Sequence, residues 1–415
     1  MKKFIAFLLS IGPGIFCIGY TIGTGSVTSM SKAGSLYGSQ LLWVLSLSCV
    51  FSWTLMEAYG RYAVVTGRTA VNSFKTELKF GKPLAIALVV GIVIGQWNSL
   101  SGIVGLSSSA FYEITRLIAP SLPEENYWVV LSIAIIILAI LYILLIVGKY
   151  SFFEKILIIF VTIMGISFII SMFIVLPNPL EIAKGFIPSI PEGSGGNLMV
   201  AAFVGTTMAA PTFVVRPLLM KGKGWGKEHL RDQSKDALSS AVLMFVISGS
   251  IMITAMGAMY YQGLSINRVI DMVHTLEPVA GRFAVALFMT GALSAGLSSV
   301  FPILMVAPLL IGDYRNGQFD IKSPFFKKLT AFACVVGLSV PILGANPIIA
   351  QIVTQVANVF VLPLAIGGIL YIINQRRIMK EHKAGWLLNT GLITALIFSC
   401  IISYVGFLAL KAFFV

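Results

Sequence analysis

Three features of the sequence predict an all-α protein that crosses a membrane many times. Hydrophobic residues fill 57% of the 415 positions and charged residues only 11%, whereas a soluble domain carries about 25% charged residues. Apolar stretches of membrane length recur from end to end at a mean hydropathy of +0.94. Basic residues collect in alternate connections between those stretches, which is the positive-inside pattern.

A helix needs about 20 apolar residues to span a bilayer. Eleven candidates meet this, near 4–32, 38–66, 84–116, 127–147, 153–175, 196–216, 236–262, 278–310, 328–344, 346–374 and 386–411. Met1-Lys2-Lys3 resembles the basic start of a signal peptide, but no small-residue cleavage site follows, so the stretch reads as the first span. The division between spans nine and ten rests on the turn Pro341 to Pro347.

With the N-terminus inside, the inner connections carry Arg68, Lys75, Lys79 and Lys82; Lys149 and Lys155; and Lys221, Lys223, Lys227, Arg231 and Lys235. Arg315, Lys322, Lys327 and Lys328, then Arg376, Arg377, Lys380 and Lys383, continue the series. The outer connections hold Glu124, Glu125, Glu181, Glu192, Asp271 and Glu277. An odd number of spans follows, with the N-terminus cytoplasmic and Val415 outside, in a bacterial plasma membrane. The net charge of +13 is thereby accounted for without a nucleic-acid partner. The expected partners are membrane lipid and a small solute or hydrated cation, handled by a monomer.

Two spans are interrupted. In the first, Gly23-Thr24-Gly25-Ser26 divides an apolar run that begins at Gly12-Pro13-Gly14; glycine is costly inside a continuous helix. In the sixth, Pro211 sits deep in the run that starts Gly205-Thr206-Thr207-Met208-Ala209, where it removes a backbone donor. Backbone groups freed at membrane depth must be used by protein or by ligand. Two breaks five spans apart predict two five-helix repeats of inverted topology with a site where the breaks meet. The repeats are expected at 1–175 and 196–374, with an added helix at 386–411.

Gly12-Pro13-Gly14, Ala33-Gly34 with Tyr37-Gly38, Gly291 to Ser299 and Thr354-Gln355-Val356, spread over nearly the whole chain, together resemble the motifs of the natural-resistance-associated macrophage protein (Nramp) superfamily of divalent-metal transporters. Gly12-Pro13-Gly14 is similar to that family's opening GPG. Ala33-Gly34, Tyr37-Gly38 and Leu41-Leu42-Trp43-Val44-Leu45 are similar to its AG..YG..LLWVL. Gly291 to Ser299 and Thr354-Gln355-Val356 with Leu362-Pro363 are similar to signatures of its eighth and tenth helices. The resemblance implies a LeuT-like fold working by alternating access. Where the family has Asp-Pro-Gly-Asn this chain has Gly23, Thr24, Gly25 and Ser26, so Gly23 stands for the metal-binding Asp. Where the family has Met-Pro-His it has Ala209, Ala210 and Pro211, or Met208 after a one-residue slip. The acidic pair of the family's third helix falls near Ser99 and Gly102. Among the ligating positions Gln355 alone is clearly kept.

The expected substrate site is therefore Gly23, Thr24, Gly25, Ser26, Thr206, Thr207, Met208, Ala209, Gln355 and Asn358, with Glu57, Gln96 and Asn98 as candidates for coupling or pathway. Glu57 has a structural role open to it as well, pairing with Arg61 one turn on; Arg216 is expected to snorkel to headgroups.

A bare divalent ion at mid-membrane needs hard, preferably anionic, oxygen donors. Their loss argues against an ordinary Mn²⁺ or Fe²⁺ carrier and for a small organic solute such as an amino acid, held by the exposed amides of the glycine-rich break. A second reading is a divalent cation, Mg²⁺ or another metal ion, carried largely hydrated, because Mg²⁺ gives up water reluctantly. A third is a membrane sensor without transport. Cys17, Cys49, Cys334 and Cys400 lie in apolar runs without metal or disulfide spacing, and His229, His274 and His382 form no cluster. No metal ligand set, cofactor or catalytic residue is expected, and the chain is not expected to be an enzyme.

Overall fold

The structure, a computed structural model, describes residues 12–147, 150–191, 194–316 and 323–414. Met1 to Ile11, which open the first predicted span, and Lys149, Glu192, Lys322 and Val415 of the charge pattern and topology lie outside the described residues.

The first span is two helices, α1 (Gly12–Thr21) and α2 (Thr24–Tyr37). Gly23 between them is extended, at φ −89° and ψ −163°. After α3 (Leu42–Thr66) comes a short surface helix, α4 (Ala70–Glu77). Its first turn is held by Asp313, which accepts hydrogen bonds from the Thr69 hydroxyl and, at 3.1 Å, from the Val71 amide. A carboxylate there satisfies donors that a helix start leaves free.

The bundle continues through α5 (Gly81–Ile118), α6 (Tyr127–Val147), α7 (Tyr150–Ile174) and the one-turn α8 (Pro179–Lys184). The sixth predicted span is again two helices, α9 (Ser194–Thr207) and α10 (Ala210–Gly222). Pro211 lies in the first turn of α10, where its missing N–H is not needed. The proline therefore starts the second half, and the break itself is Met208 and Ala209.

Then follow α11 (Leu230–Met259) and α12 (Val269–Asn316). The α12 range is two helical segments divided at Gly281, whose φ of +73° and ψ of +168° are non-helical and rarely adopted by L side chains. The outer connection before span eight thus contains helix where the sequence suggested loop.

The chain closes with α13 (Pro324–Gly337), α14 (Ser339–Leu343), α15 (Pro347–Asn358), α16 (Leu362–Ile373), α17 (Arg376–Met379) and α18 (Trp386–Phe414). The expected turn between spans nine and ten is present. Asn346 caps α15 there, accepting from the Ile348 amide at 2.9 Å and the Ile349 amide at 3.3 Å, with Pro347 in the first turn.

Among the described residues, nine helices are long and apolar enough to cross a membrane. The first predicted span falls outside that count because its break leaves two halves of 10 and 14 residues. The fifth is represented by Ile158–Ile174, a shorter apolar helix among the described residues. Burial separates core from rim. The most apolar stretch of the α9–α10 span is 94% buried and that of α6 only 22%. An apolar helix exposed on most sides needs lipid rather than water around it. Trp128 and Trp386, both exposed at helix starts, suit the interfacial aromatic belt.

Candidate functional site

The two breaks meet in the core. The Ser26 hydroxyl donates to the Thr21 carbonyl at 2.8 Å, and shares a hydrogen bond with the Thr206 hydroxyl at 3.0 Å. Thr206 also reaches the Thr21 carbonyl at 3.4 Å. Also in the last turn of α1, the Gly19 carbonyl accepts from Ser299 at 2.7 Å. The Thr207 carbonyl, freed where α9 ends, accepts from Ser52 at 2.8 Å. Side-chain hydroxyls from neighbouring helices thus take up carbonyls that a continuous helix would have satisfied.

Helix α15 supplies the third wall. Gln351, Gln355 and Asn358 are spaced four and three residues apart, so they share one face. The Asn358 amide donates to Gln355 at 3.2 Å, and the Gln355 amide to Gln351 at 3.2 Å. From α5, Gln96 donates to Asn358 at 3.4 Å, while the Ser99 carbonyl accepts from Gln351 at 2.5 Å. All of these side chains are buried.

Close approach of the three walls requires absent side chains. A Cβ on Gly25 would lie 2.3 Å from the Gln355 amide nitrogen, and one on Gly205 only 1.8 Å from the Gln355 carbonyl oxygen.

Between the walls is a cavity of about 20 Å³, lined by Gly23, Gly25, Gln96, Ser99, Thr206, Ala209, Gln355 and Asn358, with Tyr20, Ile103 and Ile303. Eight of the expected residues are placed as follows. Gly23, Gly25, Thr206, Ala209, Gln355, Asn358 and Gln96 line the cavity, and Ser26 is bonded to a lining residue. Thr207 and Met208 are buried at the second break without being part of the lining. The side chain of Thr24 lies outside the described residues.

Two pathway candidates lie elsewhere. Asn98 is exposed; two residues from Gln96, it points to a different side of the helix. Glu57 is held by Arg61 at 2.8 Å and accepts from Gln233 and Ser234, each at 2.7 Å, so its pairing role is the one observed.

Arg216 departs from expectation. It is fully buried, not snorkelling, and pairs with Asp236 at 2.5 Å. Asp236 also accepts from the Gly14 amide near the start of α1 at 3.0 Å. Desolvation of a guanidinium is costly, so it is tolerated here only beside a carboxylate. Sequence reasoning missed Asp236, which closes a basic connection in the chain, and Tyr20 and Gln351. The four-residue spacing of Gln351 and Gln355 was a usable signal for the last.

Among the described residues no group of three or more His, Cys, Asp or Glu side chains is placed to hold a metal ion. The cavity instead offers neutral oxygens from hydroxyls, amides and backbone.

The model of the family described as natural resistance-associated macrophage protein-like matches residues 14–409. The chain belongs to this Nramp family. A divalent metal cation transporter, MntH, of Caldanaerobacter subterraneus subsp. tengcongensis is 22% identical over 396 residues, covering 92% of this chain and 87% of the relative. In fold, the chain is similar to a manganese transporter from Eremococcus coleocola, with TM-score 0.79 at 12% identity over 98% of this chain and 86% of that one. It is also similar to MhsT, solved with L-phenylalanine, with TM-score 0.64 at 17% identity over 96% and 98%. The architecture is thus an all-α polytopic membrane fold of the LeuT type, and the protein is an Nramp-family transporter rather than an enzyme.

These matches correct the expectation of an organic solute and of a departure from divalent-metal carriage. The family spans nearly the full chain, and its curated relatives are named for divalent metal cations. Loss of a carboxylate is not by itself loss of cation chemistry. Neutral oxygens still serve an ion that keeps part of its water shell.

Proposed function

We propose that this Nramp-family protein is a secondary transporter that carries a divalent cation, Mg²⁺ or another metal ion, across the membrane by alternating access. The observation that carries the reading is the cavity where the two helix breaks face each other, lined by neutral oxygen donors in a family of cation carriers. Gly23, Thr24, Gly25, Ser26, Thr206, Thr207, Met208, Ala209, Gln355 and Asn358 form the substrate region in this reading.

A cation with six waters needs on the order of 60–90 Å³ of cavity, at about 10–15 Å³ per water. The cavity holds about 20 Å³. The described conformation is therefore closed around the site, and a hydrated ion loads only when the half-helices part. Eleven spans arranged as two inverted repeats, 1–175 and 196–374, with 386–411 added, give such half-helices a matched pair of hinges. The alternation of basic and acidic connections supports a cytoplasmic N-terminus and an external C-terminus.

Uptake into proteoliposomes tests the reading. Mn²⁺ and Mg²⁺, each with a cation-sensitive dye inside, are compared with a panel of radiolabelled amino acids. Saturable uptake of at least one divalent cation is expected; uptake of an amino acid with neither cation moving would refute it.

A further inference from the structure

Tyr20 lines the central cavity, and its hydroxyl is buried without a hydrogen-bond partner in the protein. The other polar side chains of the lining are engaged. Gln96, Ser99, Gln355 and Asn358 bond to one another or to Gln351, and Thr206 bonds to Ser26 and the Thr21 carbonyl. A buried hydroxyl without a partner forfeits its bonds to water, a cost that proteins rarely accept without reason. Only 6% of Tyr20 is exposed, so bulk solvent does not reach it and any partner for the hydroxyl has to sit in the cavity.

The cavity volume of about 20 Å³ is just above the roughly 10–15 Å³ that one water needs. One small body fits, and one lining hydroxyl is free to meet it. A phenol oxygen is a neutral, hard donor of the kind that can contact a divalent cation directly. Tyr20 sits one turn before Gly23 on α1, so its position shifts with the half-helix whose end forms the break.

We propose that the Tyr20 hydroxyl is a binding contact for the transported cation, completed when the site closes. The inference rests on the divalent-cation reading above and adds to it a residue on which affinity depends.

The test is Tyr20→Phe in the full chain, purified in detergent. Binding of Mn²⁺ and of Mg²⁺ is measured by titration calorimetry, and the melting temperature of the metal-free protein by tryptophan fluorescence. Removing an unpartnered hydroxyl should leave the metal-free melting temperature unchanged or slightly raised. The Kd for the cation should rise about fivefold to tenfold, the loss of one neutral contact. A Kd within about twofold of the wild type overturns the role of Tyr20 while the cation reading stands. A melting temperature several degrees lower also overturns it, because the hydroxyl would then be structural. A wild type that binds neither cation overturns both readings together.

Discussion

Asp236→Ala should be among the most destabilising single substitutions in the molecule. Arg216 is fully buried, and among the described residues its Nε has no hydrogen-bond partner and its counter-charge is Asp236 at 2.5 Å. Breaking a buried pair by deleting one partner costs about 3–5 kcal/mol, because the other charge is left in a low dielectric. The substitution also strands the Gly14 amide, which now donates to Asp236 at 3.0 Å; a buried donor without an acceptor costs about 1–3 kcal/mol. The expected loss is at least about 4 kcal/mol, enough to lower the melting temperature by on the order of 5 °C or more. A fluorescence-detected melt of the purified protein reads this directly. The double variant Arg216→Met with Asp236→Leu removes both charges and should recover most of the loss, since apolar replacements of buried pairs are often neutral or stabilising. A single variant melting within about 1 °C of the wild type, or a double variant no better than the single, would refute the argument.

Gly205→Ala should abolish cation uptake, because its Cβ would meet the Gln355 carbonyl oxygen at 1.8 Å and push α9 away from α15; normal uptake in proteoliposomes would show that the walls can separate without harm. Asn346→Ala should cost about 1 kcal/mol by removing the α15 cap, read as a small fall in melting temperature with KM unchanged. Glu57→Gln weakens a bridge to Arg61 and bonds to Gln233 and Ser234; a loss of about 1–2 kcal/mol without a change in cation affinity is expected, and an affinity change would place Glu57 on the ion's path. Among the described lining residues Tyr20 is the sole titratable side chain, so cation flux down its own gradient should vary by less than about twofold between about pH 6 and pH 8; a sigmoidal pH profile there would point to a carboxylate or histidine acting on the site.

The spans were legible because a bilayer dictates length and polarity for each crossing helix. The first break was legible for a local reason: Gly23 and Gly25 weaken the helix where they stand. The second was legible only approximately. Pro211 marks the start of the new helix, while the opening itself is set by Met208 and Ala209. The Gln96 and Asn98 pair shows a rule left unused: residues two apart on a helix turn about 200° from each other, so both were never going to face one cavity. Arg216 was misjudged because its partner lies on another helix, and a lone arginine near a span end is ordinarily a headgroup contact. The substrate class was misjudged for a subtler reason. Which ligands are missing is written in the sequence; how much room a partly hydrated cation would find is set by the size of the chamber, which only packing determines.

That chamber has a consequence for throughput. A narrows that admits one small body at a time leaves no room for ions to queue and push each other forward, as they do in a conducting pore. Each passenger waits for helices to rearrange, a movement of microseconds to milliseconds or longer, so the current through a single molecule stays far below that of a channel and levels off once every molecule is occupied.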